Sequence, residues 1–212
     1  MRIPILPDLS TILSFALTCL VIELTPGPNM GYLAVLGATH GRAAGYAAAA
    51  GVAMGLLMVG IAAALGLAVA ISSSVLLYET LRWGGILYFL WLAREGWRES
   101  GARAPDGADA RESLARYFGR GLVTNLLNPK AMLFYIAVLP TFVRPEGRIL
   151  GQTLVLSGLY VLVATVIHVA IVTLSSAAHR FMQDDSRRTL LGRSLALALA
   201  GIAVWFAFST AR

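Results

Sequence analysis

The chain has 212 residues, 58% of them hydrophobic and only 13% charged, with a mean hydropathy of +0.73, and a soluble domain of this length does not carry so apolar a composition. The net charge of +6 comes from arginines clustered between apolar runs without interleaved aromatic residues, which argues against a nucleic-acid-binding face and fits membrane orientation. The single cysteine, Cys19, excludes an intrachain disulfide or a dithiol couple.

A helical span needs roughly 20 mostly apolar residues. In chain order six such stretches are expected, at about 10–36, 43–71, 74–93, 119–141, 149–175 and 190–209. The first continues well past Leu24, so no cleaved secretory signal is expected. It contains Thr25-Pro26-Gly27-Pro28-Asn29, where two prolines around a glycine deny the turn its hydrogen bonds and split the span into two half-helices. Pro28 suits a first helical position, and the N-terminus that follows can receive an anion such as a carboxylate. Glu23 lies mid-span, three residues before Pro26. A carboxylate at that depth marks a functional site and calls for a partner.

The second span carries Gly41, Gly45, Gly51 and Gly55 in small-xxx-small pairs around a run of alanines, which are packing faces suited also to a homodimer. Trp83 and Trp91, like Trp97 and Trp205, lie near expected span ends and read as interface anchors. Residues 94–120 hold eleven of the charged positions, and GARAPDGADA within them reads as a flexible linker into a short basic helix around 110–120. This linker, 94–118, joins two halves, 1–93 and 119–212, of a single transmembrane domain. Each half has three spans, and because three is odd the second enters the membrane inverted, as in many secondary transporters.

The fourth span bears Thr124, Asn125 and Asn128 and breaks at Asn128-Pro129-Lys130. Sliding the sequence by 103 positions lays residues 25–36 on 128–139, with five of twelve identities, among them Pro26 on Pro129 and Tyr32 on Tyr135. Broken backbone survives inside a membrane only where it lines a cavity, so the paired breaks locate a binding site. Lys130, the only lysine in the chain, is the natural partner for Glu23. The expected division is Glu23 for a substrate ammonium or a proton, with Lys130 and Asn29 for a carboxylate. In the fifth span Ser157, Tyr160 and His168 recur at near-helical spacing as further candidate cavity lining. Linkers one, three and five hold eleven arginines and the opposite side five, which puts both termini outside the cytoplasm.

An enzyme would need a catalytic set, and no aspartate, serine–histidine pair or HExxH motif occupies a span. Metal efflux would favour clustered carboxylates, histidines or thiols, against one intramembrane carboxylate here. A scaffold has no need of ionisable groups beside broken helices. No metal and no cofactor are expected.

Taken together, Thr25-Pro26-Gly27-Pro28-Asn29, the four glycines of span two, the WGGILYFLWL stretch at 83–92 and Asn125-Leu126-Leu127-Asn128-Pro129-Lys130 resemble the LysE/RhtB family of bacterial amino-acid exporters over essentially the whole chain. The resemblance implies efflux of neutral amino acids such as homoserine, threonine or leucine, driven by protons across the inner membrane. The chain departs from the family pattern in having Val59 where many members have histidine, and Glu23 is not general to the family.

Overall fold

The structure is a computed structural model that describes residues 7–25, 27–66, 74–99, 108–144, 148–179 and 185–209, among which every regular element is helical. These are α1 (Leu9–Leu24), α2 (Pro28–Ala64), α3 (Val75–Glu99), α4 (Ala108–Leu126), α5 (Pro129–Leu133), α6 (Ile149–His179) and α7 (Asp185–Ser209). Helix α5 continues through a π turn over Phe134–Val138 and a 3-10 turn over Leu139–Phe142.

The side chains are distributed as lipid demands. On α1, Leu13, Leu17, Val21 and Leu24 form an outward stripe 60–62% exposed, while Glu23 in the same helix is 5% exposed. Asn29, Thr124, Asn125, Asn128, Ser157 and His168 are buried too. Water would reverse this pattern, and a hydrocarbon solvent produces it. Helices α2 and α6 are long and apolar enough to cross a membrane, and α4 with the segment that follows it forms a broken pair bent by 51°.

Helix α2 has 37 residues, about 55 Å if straight and well beyond a hydrocarbon core of roughly 30 Å. It folds back at Gly41, whose φ of 78° and ψ of −173° suit glycine alone. The neighbours establish the reversal. Asn29 and Met30 line one small cavity with Tyr160 and Gly37 meets Ser175, so the first limb advances along α6 in the same direction. Past the turn, Arg42 meets Ser176, Tyr46 meets Thr173 and Gly60 meets Ser157, so residues 42–64 return the opposite way. Gly41, expected as a packing glycine, is a hairpin turn.

The other span-two glycines do pack, but inside the chain. A Cβ on Gly51 would lie 2.0 Å from the Phe118 carbonyl oxygen, one on Gly121 2.0 Å from that of Ala48, and one on Gly45 2.4 Å from a Val172 methyl. Backbone-to-backbone approach of this kind is what small residues permit between membrane helices. Gly45, Gly51 and Gly55 therefore have partners within one copy, and they do not form the surface for a homodimer that the sequence suggested.

Around the broken pair, α1 lies antiparallel to α5. The Phe15 ring meets Phe134 and Phe142 edge-on at 5.7 and 5.1 Å, and Asp8 pairs with Arg144 at the far end. Helix α3 runs on to Glu99, and α4 begins at Ala108, overlaps the basic helix expected around 110–120 and continues as one helix into the fourth span. Arg120 ties α4 to α3 by a 2.7 Å ion pair with Glu95, its guanidinium 5.5 Å from the Trp91 ring centre.

Candidate functional site

Each break is built from local chemistry. Helix α1 stops at Thr25, whose extended backbone (φ −70°, ψ 126°) sends both its amide and its hydroxyl back to the Ile22 carbonyl. Gly27 caps the next helix and Pro28 takes its first position. Pro26 lies outside the described residues. At the second break Asn128 is extended and caps α5, its side-chain oxygen accepting the Lys130 amide at 3.0 Å, with Pro129 in the first position. Proline there sacrifices an N–H that the first turn leaves without a helical partner anyway.

The two breaks touch. The Lys130 ammonium donates to the Thr25 carbonyl at 2.8 Å, so a group freed by one break is taken up by a cation from the other. Gly27 is seated on the lysine stem, where a Cβ would stand 3.2 Å from Lys130 Cδ. Beside them Asn29 Nδ2 donates to Asn125 Oδ1 at 2.9 Å, across 96 residues of sequence. The remaining amide groups of this pair, Asn29 Oδ1 and Asn125 Nδ2, are buried without a hydrogen-bond partner. Donors and acceptors left so in a closed interior cost about 1–3 kcal/mol each, and they are available to an incoming polar ligand.

Glu23, Gly27, Asn29, Met30, Asn128, Lys130, Ala131 and Tyr160 line a small cavity of about 10 Å³, on the order of one water molecule. Its walls carry a carboxylate and an ammonium together. A second cleft, of about 560 Å³, shares Gly27 and Met30 with it and extends between α2, α6 and α7 over Gly31, Ala34, Ile171 and Ile202 to Trp205.

Sequence alone pointed to Lys130 as the partner of Glu23. In the structure the carboxylate turns the other way. Glu23 Oε1 accepts from the Tyr160 hydroxyl at 2.8 Å, and Oε2 lies 3.5 Å from His168 Nε2. Tyr160, Ala164 and His168 fall one turn apart on a single face of α6, and the small, fully buried Ala164 leaves room between the two larger side chains.

The structure thus brings together Glu23, Gly27, Asn29, Asn128, Lys130 and Tyr160, with Thr25, Asn125 and His168 attached through direct contacts. The other candidates are set apart from the cavity wall. Tyr135 donates to the Leu56 carbonyl at 2.9 Å, Ser157 lies against Gly60, and Tyr32 and Thr124 are buried without lining the cavity. Phe134, which the sequence did not single out, stacks on Tyr160 with ring centres 3.8 Å apart and so fixes the hydroxyl that holds Glu23. Nothing in an apolar run distinguishes such a ring from core.

A family model described as LysE type translocator matches residues 20–210. The chain belongs to that family. This LysE-type translocator is 28% identical over 181 residues to the homoserine/homoserine lactone efflux protein of Salmonella typhimurium, covering 85% of this chain and 88% of that protein. It is 29% identical over 185 residues to the leucine efflux protein of Klebsiella pneumoniae, covering 86% and 87%. No solved structure matches the translocator. Its membership makes it one of a family of membrane transporters, and both breaks of the site lie inside the matched region.

Proposed function

We propose that the chain exports a neutral amino acid from the cytoplasm across the bacterial inner membrane in exchange for protons. In this reading six spans form two inverted three-helix repeats around the broken helices, and both termini are periplasmic. The observation that carries the reading is the Lys130 bond to the Thr25 carbonyl, which joins two broken backbones at one cavity walled by opposite charges. A zwitterion matches that wall. Its carboxylate would draw Lys130 off the carbonyl and face the N-termini of α2 and α5 and the amide of Asn29, while its ammonium would sit between Glu23 and the freed Thr25 carbonyl.

The efflux names of the two relatives support the substrate class. The apolar cleft that shares Gly27 and Met30 with the cavity supports a side chain like that of leucine rather than a charged one. A cavity of about 10 Å³ cannot enclose an amino acid, so this conformation is the closed one and loading requires the halves to move apart.

The test is a double-mutant comparison in proteoliposomes. Glu23→Gln and Lys130→Met should each remove labelled amino-acid exchange, since an unpaired buried charge costs roughly 2–5 kcal/mol, or about 30-fold or more in affinity. The double variant should be monodisperse in detergent and still lack transport, because Glu23 and Lys130 hold opposite ends of the substrate rather than each other. Near wild-type export by the double variant would reject the site.

A further inference from the structure

The geometry points to His168 as the coupling residue of the exporter: its imidazolium and the substrate ammonium compete for the one carboxylate of Glu23. This rests on the proposed reading of the site and adds to it the residue that takes the proton.

The argument begins with what faces Glu23. Tyr160 holds Oε1 from one side and leaves Oε2 to His168, 3.5 Å away, close enough for an ion pair but without a hydrogen bond. Both ring nitrogens of His168 lack a hydrogen-bond partner among the described residues, although the residue is only 1% exposed. A buried imidazole with an unmet nitrogen beside a buried carboxylate has no reason to exist as packing, where leucine would serve. The other ionisable groups acting on the pair are Lys130 at the start of α5, Tyr135 in the π turn, Tyr160 on α6 and Cys19 one turn before Glu23 on α1. Among them His168 alone ordinarily changes charge between pH 5 and 8.

One carboxylate facing two cations in turn yields exchange. On the side of low proton activity, His168 is neutral, and Glu23 is compensated by the substrate ammonium. On the side of high proton activity a proton binds a ring nitrogen of His168, the imidazolium compensates Glu23, and the ammonium leaves unchanged with all its protons. One proton enters for each zwitterion released, and no other group need change its charge. Cavity and pair meet at Glu23, which lines the first and belongs to the second.

The experiment uses the full chain and labelled neutral amino acids, L-leucine and L-homoserine. For the wild type, apparent affinity should fall about tenfold per pH unit on the acid side, the slope of one linked proton. Adding either amino acid to protein in weak buffer, stepped downward from pH 6.5, should release protons that an indicator dye records. His168→Gln should lose the pH slope of apparent affinity, release no protons on substrate addition, and fail to accumulate substrate under a pH gradient. His168→Asn guards against a folding defect particular to glutamine, and monodispersity in detergent is checked for both. Wild-type pH slope and proton release in either folded variant would overturn this inference alone. Misfolding of both would also overturn it, because the imidazole would then be structural. Absence of exchange by the wild type would overturn the exporter reading and this inference with it.

Discussion

Single residues divide sharply into those whose role is set by their neighbours in sequence and those set by distant ones. Asp8 is of the first kind: it caps α1 by accepting the Thr11 amide at 2.9 Å, and it also pairs with Arg144 beyond α5. Its carboxyl is held well below the usual carboxylate range, first by Thr11 through hydroxyl and amide and then by Arg144. A carboxyl held low in the folded state stabilises it above about pH 4, its unfolded value, and loses that contribution as acid protonates it. Wild type should therefore melt above Asp8→Asn at pH 7 in detergent, and the gap should begin to narrow as pH falls below about 4 and close only well below pH 3. A gap of the same size at pH 3 as at pH 7 would reject the carboxylate's role. Asp8 was not among the residues singled out in the sequence, although an aspartate before an apolar run is a helix-start signal. The Glu23 contact with His168 is the opposite case. It spans 145 positions between two helices whose relative rotation no local pattern records, so the sequence offered both residues but joined Glu23 to Lys130 instead.

At the scale of elements, the helices follow hydropathy closely, and the breaks follow proline, which is rare enough in apolar runs to be informative. Glycine is ambiguous, because one small residue serves packing and turning alike. Gly41 turns the chain and Gly51 packs it, though both sit in the same kind of motif. Two neighbouring positions on α4 separate the roles experimentally. A Cβ at Gly121 would collide with the Ala48 carbonyl at 2.0 Å, whereas one at Gly119 meets nothing within 4 Å. Gly121→Ala should cost about 1–3 kcal/mol as the helices are pushed apart. Gly119→Ala should be neutral or gain up to about 1 kcal/mol from helix propensity. Thermal midpoints of the two variants in the same detergent decide it, and equal midpoints would reject the close α2–α4 packing.

For the whole molecule, the paired breaks were legible as a pair, and the contacts of Lys130 with Thr25 and Asn29 with Asn125 bear out that the two motifs meet. The expected direction of each helix rests on the count of spans and the placement of arginine alone. Reporter fusions test that layout. A periplasm-dependent reporter at Arg212 should be active, and one in the 100–107 linker should be silent, with a cytoplasmic reporter giving the reverse. The opposite pattern would reject the proposed orientation and leave the site geometry untouched.

The one-residue reversal at Gly41 also limits how this chain can change in length. Gly37 and Gly45 are both seated on Val172, so the hairpin holds no slack in which an extra residue could be absorbed. A single insertion in residues 28–40 would rotate one end of that limb by about 100° and shift it by about 1.5 Å. Either Asn29 would leave Asn125, or the turn would leave its seat on α6. Substitutions can be taken up one side chain at a time, but an insertion or deletion here changes the phase of everything beyond it.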